Sequence, residues 1–122
     1  KIMANEISKT IRFIVTKNGA ITTYSNNVRQ DMAGAKMIQN IQNIGTTAET
    51  IGLGDISGVP GKVVIKNLSA TNFVEIGGDS GLTVFKLKIL AGDEQIIAPT
   101  SATIYAKADT AAVDVQITAW DL

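Results

Sequence analysis

The chain has 122 residues, 11 basic and 11 acidic, and contains no histidine and no cysteine. One domain of about 100 to 150 residues accommodates this length, and the missing residue types exclude imidazole acid–base catalysis, Ser/His/Asp and Cys/His nucleophile pairs, zinc centres and disulfides. Scattered, balanced charge offers no basic stripe for nucleic acid, and apolar runs such as Val63-Val64-Ile65 fall far short of the ~20 residues of a membrane-spanning helix.

Ile, Val and Thr make up 39 of the 122 residues, and their β-branched side chains pack well on pleated surfaces. An all-β fold is the expectation, with residues 1–122 forming a single β-sandwich domain. Met3-Ala4 reads as a translation start, so Lys1 and Ile2 lie outside the fold and residues 1–5 are expected to form a flexible amino-terminal arm.

Residues 8–15 alternate with period two, placing Ile11, Phe13 and Val15 on one side, as in a half-buried strand. Asn18-Gly19 is a hairpin turn, since both residues tolerate positive φ. The returning strand, 20–28, is rich in Thr, Ser and Asn and reads as an edge or a strand exposed on both faces. Residues 37–44 are ambiguous: Met37, Ile38, Ile41 and Ile44 have three- and four-residue spacings suited to a short helix capped by Gly45. Their two Asn, two Gln and short length favour an irregular strand. Thr46 to Ile56 continues as a Thr/Ile/Leu stretch in which Gly52 and Gly54 suggest a bulge or a close backbone approach. Gly58-Val59-Pro60-Gly61 is a turn, with Pro60 fixing φ and Gly61 taking the left-handed position.

Beyond that turn, short strands are predicted at 62–67, 73–77, 82–90, 94–98, 102–108 and 112–120, with turn residues every ~8 to 12 positions. Alternation is clearest where Phe85, Leu87 and Ile89 oppose Lys86 and Lys88, and where Val113, Val115, Ile117 and Ala119 oppose Asp114, Gln116, Thr118 and Trp120. The count is about eight strands in two antiparallel sheets, a β-sandwich of jelly-roll or Greek-key type.

Chemistry-bearing motifs are weak. Gly78-Asp79-Ser80-Gly81 has the letters around a chymotrypsin-like nucleophile, but no histidine exists to take the serine proton, so a Gly-rich hairpin turn is the reading. Asp93-Glu94 and the scattered Asp residues form no calcium ladder, and six aromatics are few for a sugar-stacking glycosidase. Gly77-Gly78 and Gly52/Gly54 lack the Lys-Ser/Thr and helix of a phosphate loop. No catalytic, cofactor or metal residue is expected. The candidate contact residues are Trp120, Tyr105, Lys86 and Lys88. Trp120 either faces outward as an interface or folds over the end of the sandwich as a lid, and Tyr105 falls on the outward parity of its strand beside Thr103 and Lys107.

Several stretches resemble small structural proteins of tailed bacteriophages and prophages. These are Ile44-Gly45-Thr46-Thr47-Ala48-Glu49, Leu53-Gly54-Asp55, Val64 through Gly77, Leu87 through Glu94, Tyr105-Ala106-Lys107-Ala108 and the Met3-Ala4-Asn5-Glu6-Ile7 start. The resemblance covers most of the chain from Ile44 onward and consists of turn and strand signatures. It implies a β-sandwich virion component assembled in the bacterial cytoplasm. A capsid decoration or cement protein, homo-oligomeric and bound to the phage major capsid protein, is the preferred role. A tail, neck or fibre-attachment component, or a host-surface binding module, is the alternative. Nucleic acid and membrane are not expected partners, and no cofactor is implied.

Overall fold

The computed structural model describes residues 6–32, 36–56 and 58–121, so the expected arm at 1–5 lies outside the described residues. The described residues form no helix and ten strands, all paired antiparallel. Contacts divide the chain into two compact units, Lys1–Ala33 and Gly34–Leu122. The sequence reading makes the first two strands part of a single domain; they form a unit of their own.

In the first unit, β1 (Ile7–Lys17) pairs with β2 (Ala20–Gln30) over eleven registered positions. Asn18 at φ 52° and Gly19 at φ 81° make the two-residue turn, whose twist matches that of the strands. Cross-strand partners share a face, so Ile7, Ile11, Phe13, Val15, Tyr24 and Val28 lie together on one side of the ribbon. Phe13 and Tyr24, directly opposite each other, stack with centroids 5.0 Å apart. The other side carries Ser8, Thr10, Arg12, Ser25, Asn27 and Arg29 towards the open end and exposed Ile14 and Ile21 towards the turn. Between Ile7 and Gln30 there are four cations, Lys9, Arg12, Lys17 and Arg29, and no acid.

The second unit is a sandwich of eight strands. β3 (Met37–Ile44), β5 (Lys62–Asn67), β8 (Glu94–Ile97) and β10 (Val113–Trp120) form one sheet in the order β3-β10-β5-β8. β4 (Glu49–Thr50), β6 (Val74–Gly77), β7 (Lys86–Ile89) and β9 (Tyr105–Ala108) form the other in the order β4-β9-β6-β7. Only the β6–β7 connection stays within a sheet, and this interleaving is the jelly-roll topology. The expected all-β antiparallel sandwich is therefore observed, and the ambiguous 37–44 segment is a strand.

The core is aliphatic. Val63, Ile65, Val113, Val115, Ile117 and Ala119 from one sheet meet Val74, Ile76, Ile89, Ala106 and Ala108 from the other. Thr46 to Ile56 departs from expectation. Only Glu49 and Thr50 are strand, while Ile51, Leu53 and Ile56 enter the core from a loop. Gln42 holds that loop, accepting from the Gly52 N–H at 2.9 Å and donating to the Thr50 carbonyl at 3.0 Å. Gly54 is left-handed, φ 57°, and a Cβ there would lie 3.0 Å from Ile38 Cγ2, so its close neighbour is a side chain rather than the backbone expected. In the 58–61 turn the left-handed residue is Gly58, φ 76°, rather than Gly61. Proline supplies its fixed φ in either case, and the reversal falls before it rather than after.

The one buried polar side chain of the described residues, Asn67, faces inward at the end of β5. Its Nδ2 donates to the Asn72 carbonyl at 2.8 Å and to the Ile89 carbonyl at 3.1 Å, and its Oδ1 accepts from the Ser69 N–H at 2.9 Å. Because Ile89 belongs to the opposite sheet, this amide ties the two layers together where the chain turns from β5 towards β6.

Candidate interaction surfaces

Of the four residues singled out from sequence, three share one surface. On the outer face of the β4-β9-β6-β7 sheet, Tyr105, Gly77 and Lys86 stand in one cross-strand row, and Lys107, Glu75 and Lys88 in the next. Lys86 Nζ lies 3.0 Å from Glu75 Oε2, and Lys88 Nζ sits 4.4 Å from the centre of the Phe73 ring. With three lysines around one carboxylate the face is basic, and both predicted lysines have partners within the chain. The Lys86 side chain is solvated while Glu75 is largely shielded, so the pair contributes modestly to stability.

Trp120 lies on the opposite surface. It pairs in register with Met37 and Lys62, inside a strand, and points to the outer side of the β3-β10-β5-β8 sheet. The residue is half-buried, and its Nε1 is shielded from solvent with no hydrogen-bond partner. Met37, 63% exposed, stands beside it, half-buried Val64 and Ile96 lie in the next row with Gln39 and Thr118, and Ile41, 65% exposed, lies one row further on. This sheet face is the more apolar of the two. Glu94 and Asp114 also project from it, Lys62 and Lys66 balance them, and Asp121 follows the end of β10. The sequence reading does not identify Met37, Ile41, Val64 and Ile96 as a surface. Their signal was present as apolar residues on the parity opposite the core, but it becomes readable only once strand order is known.

A third feature is a cleft of about 400 Å³ lined by Phe85, Leu87, Ile97, Ala98, Pro99 and Thr100. It opens where the edge strands β7 and β8 leave the core incompletely covered. Its size is that of a small-molecule pocket, but Thr100 brings its one polar side chain, and the lining holds no acid or base to activate that hydroxyl.

The Gly78-Asp79-Ser80-Gly81 motif is structural. Asp79 accepts from the Thr83 N–H and hydroxyl, both at 2.6 Å, and from the Val84 N–H at 2.9 Å, fixing a loop in which Leu82 has φ 54°. The Thr83 hydroxyl first, then the Val84 amide, hold the Asp79 carboxyl below its ordinary pKa. A depressed pKa means the carboxylate stabilises the fold above the unfolded value of about 4, and the effect disappears as pH falls through the folded value. Asp79→Asn is therefore expected to melt below the parent at pH 7, with the gap closing under acid. Thermal melts from pH 7 to 2 check this, and a constant gap would contradict it. The Asp93 carboxylate accepts from the neighbouring Glu94 N–H at 2.8 Å, and no group of three or more acidic side chains among the described residues is placed to hold a metal.

No protein-family model matches the chain, and no curated protein matches it in sequence. Among solved structures, an ethanolamine utilization protein Q from Salmonella typhimurium LT2 aligns with a TM-score of 0.47 at 12% identity, over 94% of this chain and 98% of that one.

Proposed function

We propose that the protein is a structural subunit of a tailed-bacteriophage virion, a decoration or cement protein that binds the outer capsid lattice and stabilises the head. The observation that carries this reading is the β1–β2 hairpin. It is a unit without a core, with Phe13, Val15 and Tyr24 about half-exposed. A two-stranded ribbon is marginally stable alone in water, so such an element suits a chain that works inside an assembly. Among the described residues the sandwich adds two broad sheet faces and no catalytic constellation, and the sequence stretches resembling phage structural proteins point the same way. Binding only to the mature lattice would stabilise it by mass action, multiplied by the number of copies.

Quantitative densitometry and a reconstruction of the intact particle test this. Hundreds of copies as density on the outer shell are expected, and particles lacking the protein should release their contents at lower temperature. Three to a dozen copies at the tail or neck would favour the attachment reading, and absence from particles would end both.

A further inference from the structure

On one flank of the sandwich both sheets end in an edge strand, β7 in one and β8 in the other, each with a strand partner on one side only. Such an edge presents backbone N–H and C=O groups to an incoming strand. β8 is the poorer acceptor, because it runs straight into Ala98-Pro99, where the proline brings no donor. In β7 the Ile89 carbonyl is taken by Asn67, so the open stretch is Lys86 to Lys88. Side chains along this edge alternate in chemistry as well as in direction. Phe85 and Leu87 line the cleft together with Ile97 and Pro99 from the rim of the facing sheet. Lys86 and Lys88 point to the outer side, where Lys107 joins them and Glu75 is the one carboxylate among the strand residues. Of the acids flanking β7 in sequence, Asp79 is turned onto Thr83 and Val84, and Asp93 onto the Glu94 N–H. The edge is thus apolar on its inner side and cationic on its outer side.

We propose that the β7 edge docks an extended acidic segment of a partner protein, which adds to the sheet as a fifth strand of alternating apolar and acidic residues. Register dictates the alternation. Residues opposite Phe85, Leu87 and Ile89 share the inner side and enter the cleft, and residues opposite Lys86 and Lys88 share the lysine side. The cleft, about 400 Å³, has more than twice the volume of the ~150 Å³ cavity that holds a benzene ring, so two apolar side chains fit. Main-chain hydrogen bonds supply affinity in this mode, and the alternate pockets supply specificity. A second copy of β7 is excluded. Paired antiparallel with Leu87 kept on the cleft side, it would set lysine across from lysine, so the side chains that prevent self-pairing also select the sign of what binds. The docking requires no particular place in a virion.

A capped pentapeptide, Leu-Glu-Leu-Glu-Leu, is the probe, and its palindromic sequence suits either strand direction. Added to the isotope-labelled full chain, it should saturably shift the amide resonances of residues 85–90 and 96–98 and leave those of β3, at the far edge of the facing sheet, in place. Leu-Lys-Leu-Lys-Leu and the unpatterned Leu-Leu-Leu-Glu-Glu should each bind at least ~10-fold more weakly. N-methylation of two neighbouring residues in the probe removes backbone donors and keeps the side chains, and should cost at least ~10-fold. On the protein, Lys86→Glu with Lys88→Glu should reverse the preference towards the lysine peptide. Ala98→Phe, which fills the cleft, should weaken the acidic peptide by at least ~10-fold. All three side chains are exposed, so the thermal transition should be retained. No saturable shift at millimolar peptide, shifts confined to other strands, equal binding of the lysine peptide, or indifference to N-methylation would each overturn the proposal.

Discussion

Asn67→Leu is expected to lower stability by about 4–6 kcal/mol while keeping the heavy-atom count and branching of the buried side chain. Three hydrogen bonds disappear at about 1 kcal/mol each, and the carbonyls and amide they served stay shielded from water, which adds about 1–3 kcal/mol. The three partners lie on the β5–β6 turn and on β7, so both the turn and the tie between sheets go together. Against a total of about 5–15 kcal/mol for a small domain the loss is large, and the melting temperature should fall by about 15 °C or more. Asn67→Asp sharpens the test. It keeps an acceptor for Ser69 but turns a carboxylate oxygen towards the Asn72 and Ile89 carbonyls. Burial and those carbonyls raise the pKa of the introduced acid, so its penalty should be greatest at neutral pH and shrink as pH falls and a donor returns. Urea titrations of both variants at pH 7 and pH 4 measure this; equal stability of Asn67→Leu and the parent would remove Asn67 from its bridging role.

Gly77→Ala is the second large effect. A Cβ on Gly77 would lie 2.5 Å from the Phe85 carbonyl oxygen and 2.7 Å from Leu82 Cδ2, with Leu82 Cα at 3.1 Å. Two of these three atoms are backbone, and Asp79 anchors the loop they belong to, so relief requires the chain between Leu82 and Phe85 to move. Overpacking of this kind costs about 1–3 kcal/mol, and the upper part of that range is expected because the displaced loop also carries buried Leu82. Gly78→Ala is the internal comparison. Its Cβ would meet the Phe85 ring at 3.0 Å and Val84 Cγ1 at 3.2 Å, side-chain atoms that can yield, so its loss should be clearly smaller. Differential scanning calorimetry of the two variants distinguishes them, and equal transitions would show that the loop gives way as readily as the ring.

Much of the sandwich was legible because its central strands obey one rule. Val113, Val115, Ile117 and Ala119 are all buried, and their neighbours in β10 all face out. Legibility fades towards the edges. Phe85 and Leu87 have the core parity of Ile89, yet each is 36% exposed, because at the rim of the sandwich the facing sheet no longer covers them. The helical look of 37–44 has a similar origin. Ile38 and Ile44 face inward but Ile41 faces out, so an apolar residue on the surface imitated a three-residue period. Ile51, Leu53 and Ile56 pack into the core from a loop, where periodicity carries no information. The candidate surfaces were less legible than the fold. Parity correctly sent Trp120 and Tyr105 outward, but parity cannot say which sheet a strand joins, and the two residues stand on opposite sides of the sandwich. The concentration of cations in 7–30 was visible in the sequence, yet it has meaning only once the hairpin is known to be a unit of its own.

The core of the described residues contains no aromatic side chain, and the chain has a single tryptophan, set on an outer sheet face with its indole nitrogen already out of contact with solvent. The protein thus carries a built-in optical probe whose colour is decoupled from events in the interior. Emission from that one indole will follow whatever comes to rest beside Met37, its partner across the strand pair, so assembly can be watched in unlabelled material.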